Sequence, residues 1–99
     1  MTDKLQHFTF KEDIIVERFD ERALLVDMDT EKIFELNATG ARIAELIIEK
    51  CSISEIITTI NREFEATLQE KELDVLEFMQ ELLANGLITE NLNRNGNRG

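Results

Sequence analysis

The sequence predicts an α+β fold of winged helix-turn-helix type, a three-stranded antiparallel sheet followed by three helices. Three observations carry that prediction. Residues 13–36 hold three short apolar segments separated only by Asp20-Glu21 and by a polar turn starting at Asp29, and connections that short join antiparallel neighbours. From Asn37 onward the apolar residues recur three and four positions apart, the spacing of a helix buried on one face. In "KIFELNATGARIAELI" (32–47) the strand pattern runs straight into the helix pattern with no loop between them.

Each element has its own warrant. "DIIVERF" (13–19) is rich in β-branched residues and reads as the first strand; "RALLVDM" (22–28), almost continuously apolar, is the second. The third is Lys32 to Leu36, where Phe34 and Leu36 share one face and Ile33 and Glu35 the other. Asn37 is an N-cap whose side chain can satisfy an amide of the first helical turn, with Thr39 as the competing choice. Ile43, Leu46 and Ile47 form the buried stripe of the first helix, which should stop near Lys50-Cys51. Ser52 and Glu55 have capping-box spacing, with Ser54 the weaker alternative. The second helix then presents Ile53, Ile56, Ile57, Ile60 and Phe64 as one narrow core face. "EATLQE" breaks the pattern, a third helix runs from about Gln69 to Ala84, and Asn85-Gly86 supplies a left-handed C-cap. "LIT" adds a short final strand.

No Pro, internal repeat or linker divides the 99 residues. The expected organisation is a flexible N-terminus over 1–12, one domain over 13–90, and a disordered Asn/Gly/Arg-rich tail over 91–99. Hydrophobic residues make up 42% of the chain, with no Trp or Tyr and six Phe, so the core is built from Ile, Leu and Val.

Composition also narrows function. The formal charge of −10 repels phosphate backbones and anionic lipid, which argues against nucleic acid or membrane as partner. Cys51 is the sole cysteine, so no internal disulfide can form and a reducing, cytoplasmic setting fits. His7 is the sole histidine and sits in a polar segment far from Cys51 in sequence, so Cys51 reads as a half-buried small thiol. The opening "MTDKLQHF" has neither the basic nor the apolar region of a signal peptide, and no apolar run approaches the ~20 residues of a membrane span. There is no phosphate-binding glycine loop, metal-ligand spacing or nucleophile elbow. Pairs such as Glu45/Glu49 and Asp74/Glu77 have the spacing of a solvated helical face. The expectation is a binding module with no enzymatic activity and no cofactor or metal.

The third helix is the informative one. Val75, Phe78, Met79 and Leu82 suffice to dock it, yet Leu76 and Leu83 flank that stripe and Leu73 lies further round, near Gln80. Either the helix packs between the sheet and another helix and buries all of these, or its flank forms an apolar groove for a partner. As the recognition helix of a DNA-binding winged helix it would be poor. It carries Glu70, Glu72, Asp74, Glu77 and Glu81 against Lys71 alone, and only Gln80 suits base readout.

Three blocks carry a family likeness: "VDMDTEKIFELNATGARIAELI", "SISEIITTINREF" and "ELDVLEFMQELLANGLI". Together, over about residues 24–88, they resemble the pyrroloquinoline quinone biosynthesis protein D (PqqD) family. Its fold recurs in the recognition elements of ribosomally made, post-translationally modified peptide pathways. The most specific parts are the Leu36-Asn37 corner with Thr39 and Ala41, and the Asp74-Val75…Phe78…Leu82…Gly86-Leu87 pattern. One departure is Ala44, where many members place a large residue.

The resemblance implies a cytoplasmic, non-catalytic peptide chaperone. It would bind the leader of a precursor peptide and present it to a modifying enzyme, such as a radical S-adenosylmethionine enzyme. In the family the leader adds as a strand to the third strand and lies against the third helix. Carried over, the docking edge is Lys32, Ile33, Phe34, Glu35 and Leu36, and the groove wall includes Leu73, Leu76, Glu77, Gln80 and Leu83. Strand addition draws affinity from backbone groups and selectivity from side-chain pockets. Lys32 and Glu35 are the kind of charges that discourage indiscriminate pairing at an open edge. The alternatives are a winged-helix transcription regulator and a scaffold for a protein partner.

Overall fold

Three antiparallel strands and three helices follow in the expected order in the computed structural model, which describes residues 6–64 and 68–92. Strand β1 (Gln6–Phe10) precedes the meander of β2 (Ile14–Phe19), β3 (Arg22–Asp27) and β4 (Lys32–Leu36). Helices α1 (Ala38–Ile48), α2 (Ile53–Glu63) and α3 (Leu68–Ala84) come next, and β5 (Ile88–Leu92) closes the described chain.

In the meander β3 is central. It pairs with β2 from Ile14↔Asp27 to Phe19↔Arg22 and with β4 from Asp27↔Lys32 to Ala23↔Leu36. The two-residue turn Asp20-Glu21 holds Asp20 at φ 56°, a left-handed conformation that short polar side chains tolerate. The β3–β4 turn is organised by Asp27, which is only 2% exposed. Its Oδ1 accepts hydrogen bonds from the amides of Asp29 (3.0 Å) and Thr30 (3.4 Å), while Oδ2 lies 3.1 Å from the Lys11 ammonium. A buried carboxylate needs such partners to stay ionised.

The period-two pattern divides the sheet. Ala23 and Leu25 are buried on the helical side, with Leu36 and Phe34 beside them on β4. On the outer side Ile15, Val26 and Ile33 form a cross-strand row.

Two expectations need correction. Residues 6–10 form a strand, where a flexible segment is expected, and the final strand is longer than "LIT". β1 and β5 make a separate two-stranded antiparallel sheet from Gln6↔Leu92 to Phe10↔Ile88, which includes Asn91 and Leu92. Phe8 and Ile88 are buried in the core, and the Lys11 amide donates to the Leu87 carbonyl at 3.0 Å. Each strand alone is short and mixed in polarity; their stability comes from pairing across the whole length of the domain. The flexibility expected of residues 1–5 and the disorder expected of 93–99 fall outside the described residues.

The helix boundaries follow the expected caps. The Asn37 side chain accepts from the Gly40 amide at 2.8 Å. Ser52 and Glu55 form a reciprocal capping box at 3.2 and 2.8 Å. α1 and α3 both end in the same paired pattern: Lys50 and Cys51 amides donate back to Ile47 and Leu46, and Gly86 and Leu87 amides to Leu83 and Leu82. α1 is the central helix, packed on β1, β3, β4 and α2. Its Ala41 and Ala44 are fully buried at the centre of that packing. Arg42 ties the layers together: it grips both carboxylate oxygens of Glu63 on α2 (2.8 and 3.0 Å) and also pairs with Glu45, which in turn pairs with Arg18 on β2.

Candidate functional site

β4 pairs with β3 alone among the described residues, so one row of its backbone donors and acceptors is open. Asn37 ends that edge by capping α1, leaving no loop to cover it. Between the edge and α3 lies a recess of about 230 Å³. Its apolar lining is Phe34, Leu36, Phe78, Leu82 and Leu87, with Glu35, Glu81 and Asn85 as polar neighbours. A second recess, of about 250 Å³, shares Asn37, Phe78 and Glu81 with the first and extends it past the start of α1 to Asp74 and Glu77.

Phe78 is the common wall. Its ring edge lies so close to α1 that a Cβ on Gly40 would stand 3.2 Å from Cε1. Gly40 therefore lets the aromatic ring of α3 approach the first turn of α1 directly, beside the Asn37 cap.

The structure places the expected site residues unevenly. Phe34, Glu35 and Leu36 line the first recess and Glu77 the second. Lys32 and Ile33 are exposed on the same strand but line neither recess, Ile33 on the outer face. Leu76 and Leu83 are exposed, as is Gln80, and none of the three lines a recess. At ~100° per residue they sit beyond Met79, on the far side of the core stripe from Glu77 and Glu81. Leu73, expected on the same wall, has its side chain outside the described residues.

Among the α3 residues and those just after it, Asp74, Phe78, Glu81, Leu82, Asn85 and Leu87 line the recesses without having been in the expected set. Phe78 was absorbed into the core stripe with Met79 and Leu82, yet it is only half-buried, at the edge of that stripe. The carboxylates continuing around the helix from it were the available cue.

The site is acidic. No Lys or Arg among the described residues lines either recess. Glu35 pairs with Arg22 at 3.1 Å, whereas Asp74, Glu77 and Glu81 make no ion pair among the described residues. No group of three or more His, Cys, Asp or Glu among the described residues is arranged to hold a metal ion. The Cys51 thiol is pushed up by burial and by Glu55 and Glu49, which keeps it protonated and unreactive at neutral pH. No helix among the described residues is long and apolar enough to cross a membrane.

A meander that turns through a capped corner into three helices, with its open edge facing the last of them, defines a small winged-helix-like domain. The chain belongs to the family of coenzyme PQQ synthesis protein D (PqqD), whose model matches residues 22–88. Two solved structures share the fold. One is TbiB1 in complex with the TbiA(beta) leader peptide, 23% identical, with a TM-score of 0.74 over 92% of this chain and 99% of that one. The other is a lasso peptide synthetase B1 complexed with the leader peptide, also 23% identical with a TM-score of 0.74, over 84% of this chain and 98% of that one. No curated relative matches the sequence.

Proposed function

We propose that this protein binds the leader segment of a ribosomally made precursor peptide and presents it to a modifying enzyme, itself performing no chemistry. The observation that carries the reading is the recess between the open β4 edge and α3. It offers an extended chain both unpaired backbone groups and an apolar seat at Phe34, Phe78 and Leu82. Family membership and a fold shared with two leader-peptide complexes support it. The partner enzyme would then act on the core peptide that follows the leader; a radical S-adenosylmethionine enzyme is one candidate class.

The docking set under this reading is Phe34, Glu35 and Leu36 on the edge with Phe78, Glu81, Leu82 and Asn85 on the helix. Lys32 and Ile33 extend the same edge through their backbone. The test is a titration of ¹⁵N-labelled protein with synthetic leader peptides from short precursor reading frames sought beside its gene. Amide shifts should cluster at residues 32–36 and 78–85. Shifts confined to the Leu76–Leu83 flank would move the site to the other side of α3, and absence of binding would sink the reading.

A further inference from the structure

We propose that the groove selects a cationic peptide, one that sets Lys or Arg along α3 next to the apolar residues seated on Phe34 and Phe78. This rests on the peptide-binding reading above and names the chemistry of the peptide.

The observation behind it is an asymmetry. Among the described side chains of α3, residues 74–84, the carboxylates are Asp74, Glu77 and Glu81, and all of them line the recesses. Over the same residues, 74–84, the opposite exposed flank carries Leu76, Gln80 and Leu83 and no charge. Carboxylates serving solubility alone would be spread around the exposed arc, above all beside the exposed leucines. Here they are gathered on the side facing the open strand edge, where no Lys or Arg among the described side chains lines either recess to balance them.

Geometry fits an extended chain. Asp74 to Glu81 is seven residues of helix, a row about 10 Å long. Side chains on one side of an extended peptide recur about every 6.7 Å, so two cations at positions i and i+2 can face the row. All three carboxylates are exposed, so a single pair is weak and discrimination comes from several charges acting along the row. An acidic segment in the same place would meet like charge on α3 and be rejected. The carboxylates that disqualify α3 as a DNA-recognition helix thus become the selectivity element of a peptide groove.

The experiment is a selection from a display library of random twelve-residue peptides on the full-length chain. Enriched peptides are located by their amide shifts on labelled protein. Those docking at β4 and Phe78 should be enriched in Lys and Arg, and their affinity should fall by about tenfold or more between about 50 and about 500 mM salt. The triple variant D74N/E77Q/E81Q should bind them about tenfold more weakly, lose the salt dependence, and keep an unchanged or higher urea midpoint. Groove-docking peptides with no basic excess and no salt dependence would overturn the proposal and leave the peptide-binding reading standing. If no selected peptide docks at β4 and Phe78, both fall.

Discussion

Lys50 and Gly86 do the same job with different side chains. Each takes the left-handed position that ends a helix, at φ 68° and 70° respectively, and each amide closes the same hydrogen-bond pattern. A lysine pays a steric cost there that glycine avoids. Lys50→Gly should therefore stabilise the protein by about 1 kcal/mol, read as a higher urea midpoint at unchanged slope. Asp27 is the other residue-scale case. Burial raises its pKa, but the Lys11 ammonium, Thr30 and the turn amides outweigh that and hold it below the usual carboxylate range. Its stabilisation is thus fully present above the unfolded value of about pH 4 and lost as pH falls through the lower folded value. Asp27→Asn should be less stable than the natural chain at pH 7, with the gap closing by about pH 2 in paired urea titrations.

At the scale of elements, α3 has two exposed sides with different surroundings. The Phe78–Glu81–Asn85 side faces β4, while the Leu76–Gln80–Leu83 side faces away from both recesses. Phe78→Ala should weaken leader binding by about tenfold, the scale of losing a well-placed aromatic anchor. Leu76→Glu, at a position 43% exposed, should leave both fold and binding unchanged. Isothermal titration of the two variants, with circular dichroism as the control for folding, separates these outcomes. Sequence pattern identifies α3 as wider in apolar surface than docking requires, and that holds: Leu76 and Leu83 remain exposed. It does not say which side of the helix meets β4, because that depends on how α3 crosses the sheet, a relation between elements 40 residues apart in the chain.

At the scale of the molecule, a charge of −10 on 99 residues sets the response to salt. Mutual repulsion of the excess carboxylates opposes the compact state and is screened as ionic strength rises. Thermal unfolding at pH 7 should therefore move to higher temperature between about 10 and about 200 mM salt, a rise that the Arg42–Glu63 and Arg42–Glu45 pairs reduce but do not reverse. Binding of a basic peptide should weaken over the same range. Opposite salt responses of folding and binding distinguish repulsion within the protein from attraction across the groove.

The sequence by itself determined what depends on neighbours in the chain. The β2–β3–β4 meander, the Asn37 cap, the Ser52–Glu55 box and the Gly86 stop are all local: each is specified by residue types a few positions apart, and each stands where the pattern put it. The docking edge at Lys32 to Leu36 was an implication of the family resemblance, and β4 pairs with β3 alone among the described residues. Only the tertiary structure decided the rest. β1 and β5 are strands because they meet across the length of the domain, and no window of sequence contains both. Phe78 lines both recesses because Gly40 lets α1 and α3 come into contact at the end of β4. A groove is the space between elements, and its residues are fixed by the angle at which those elements pack.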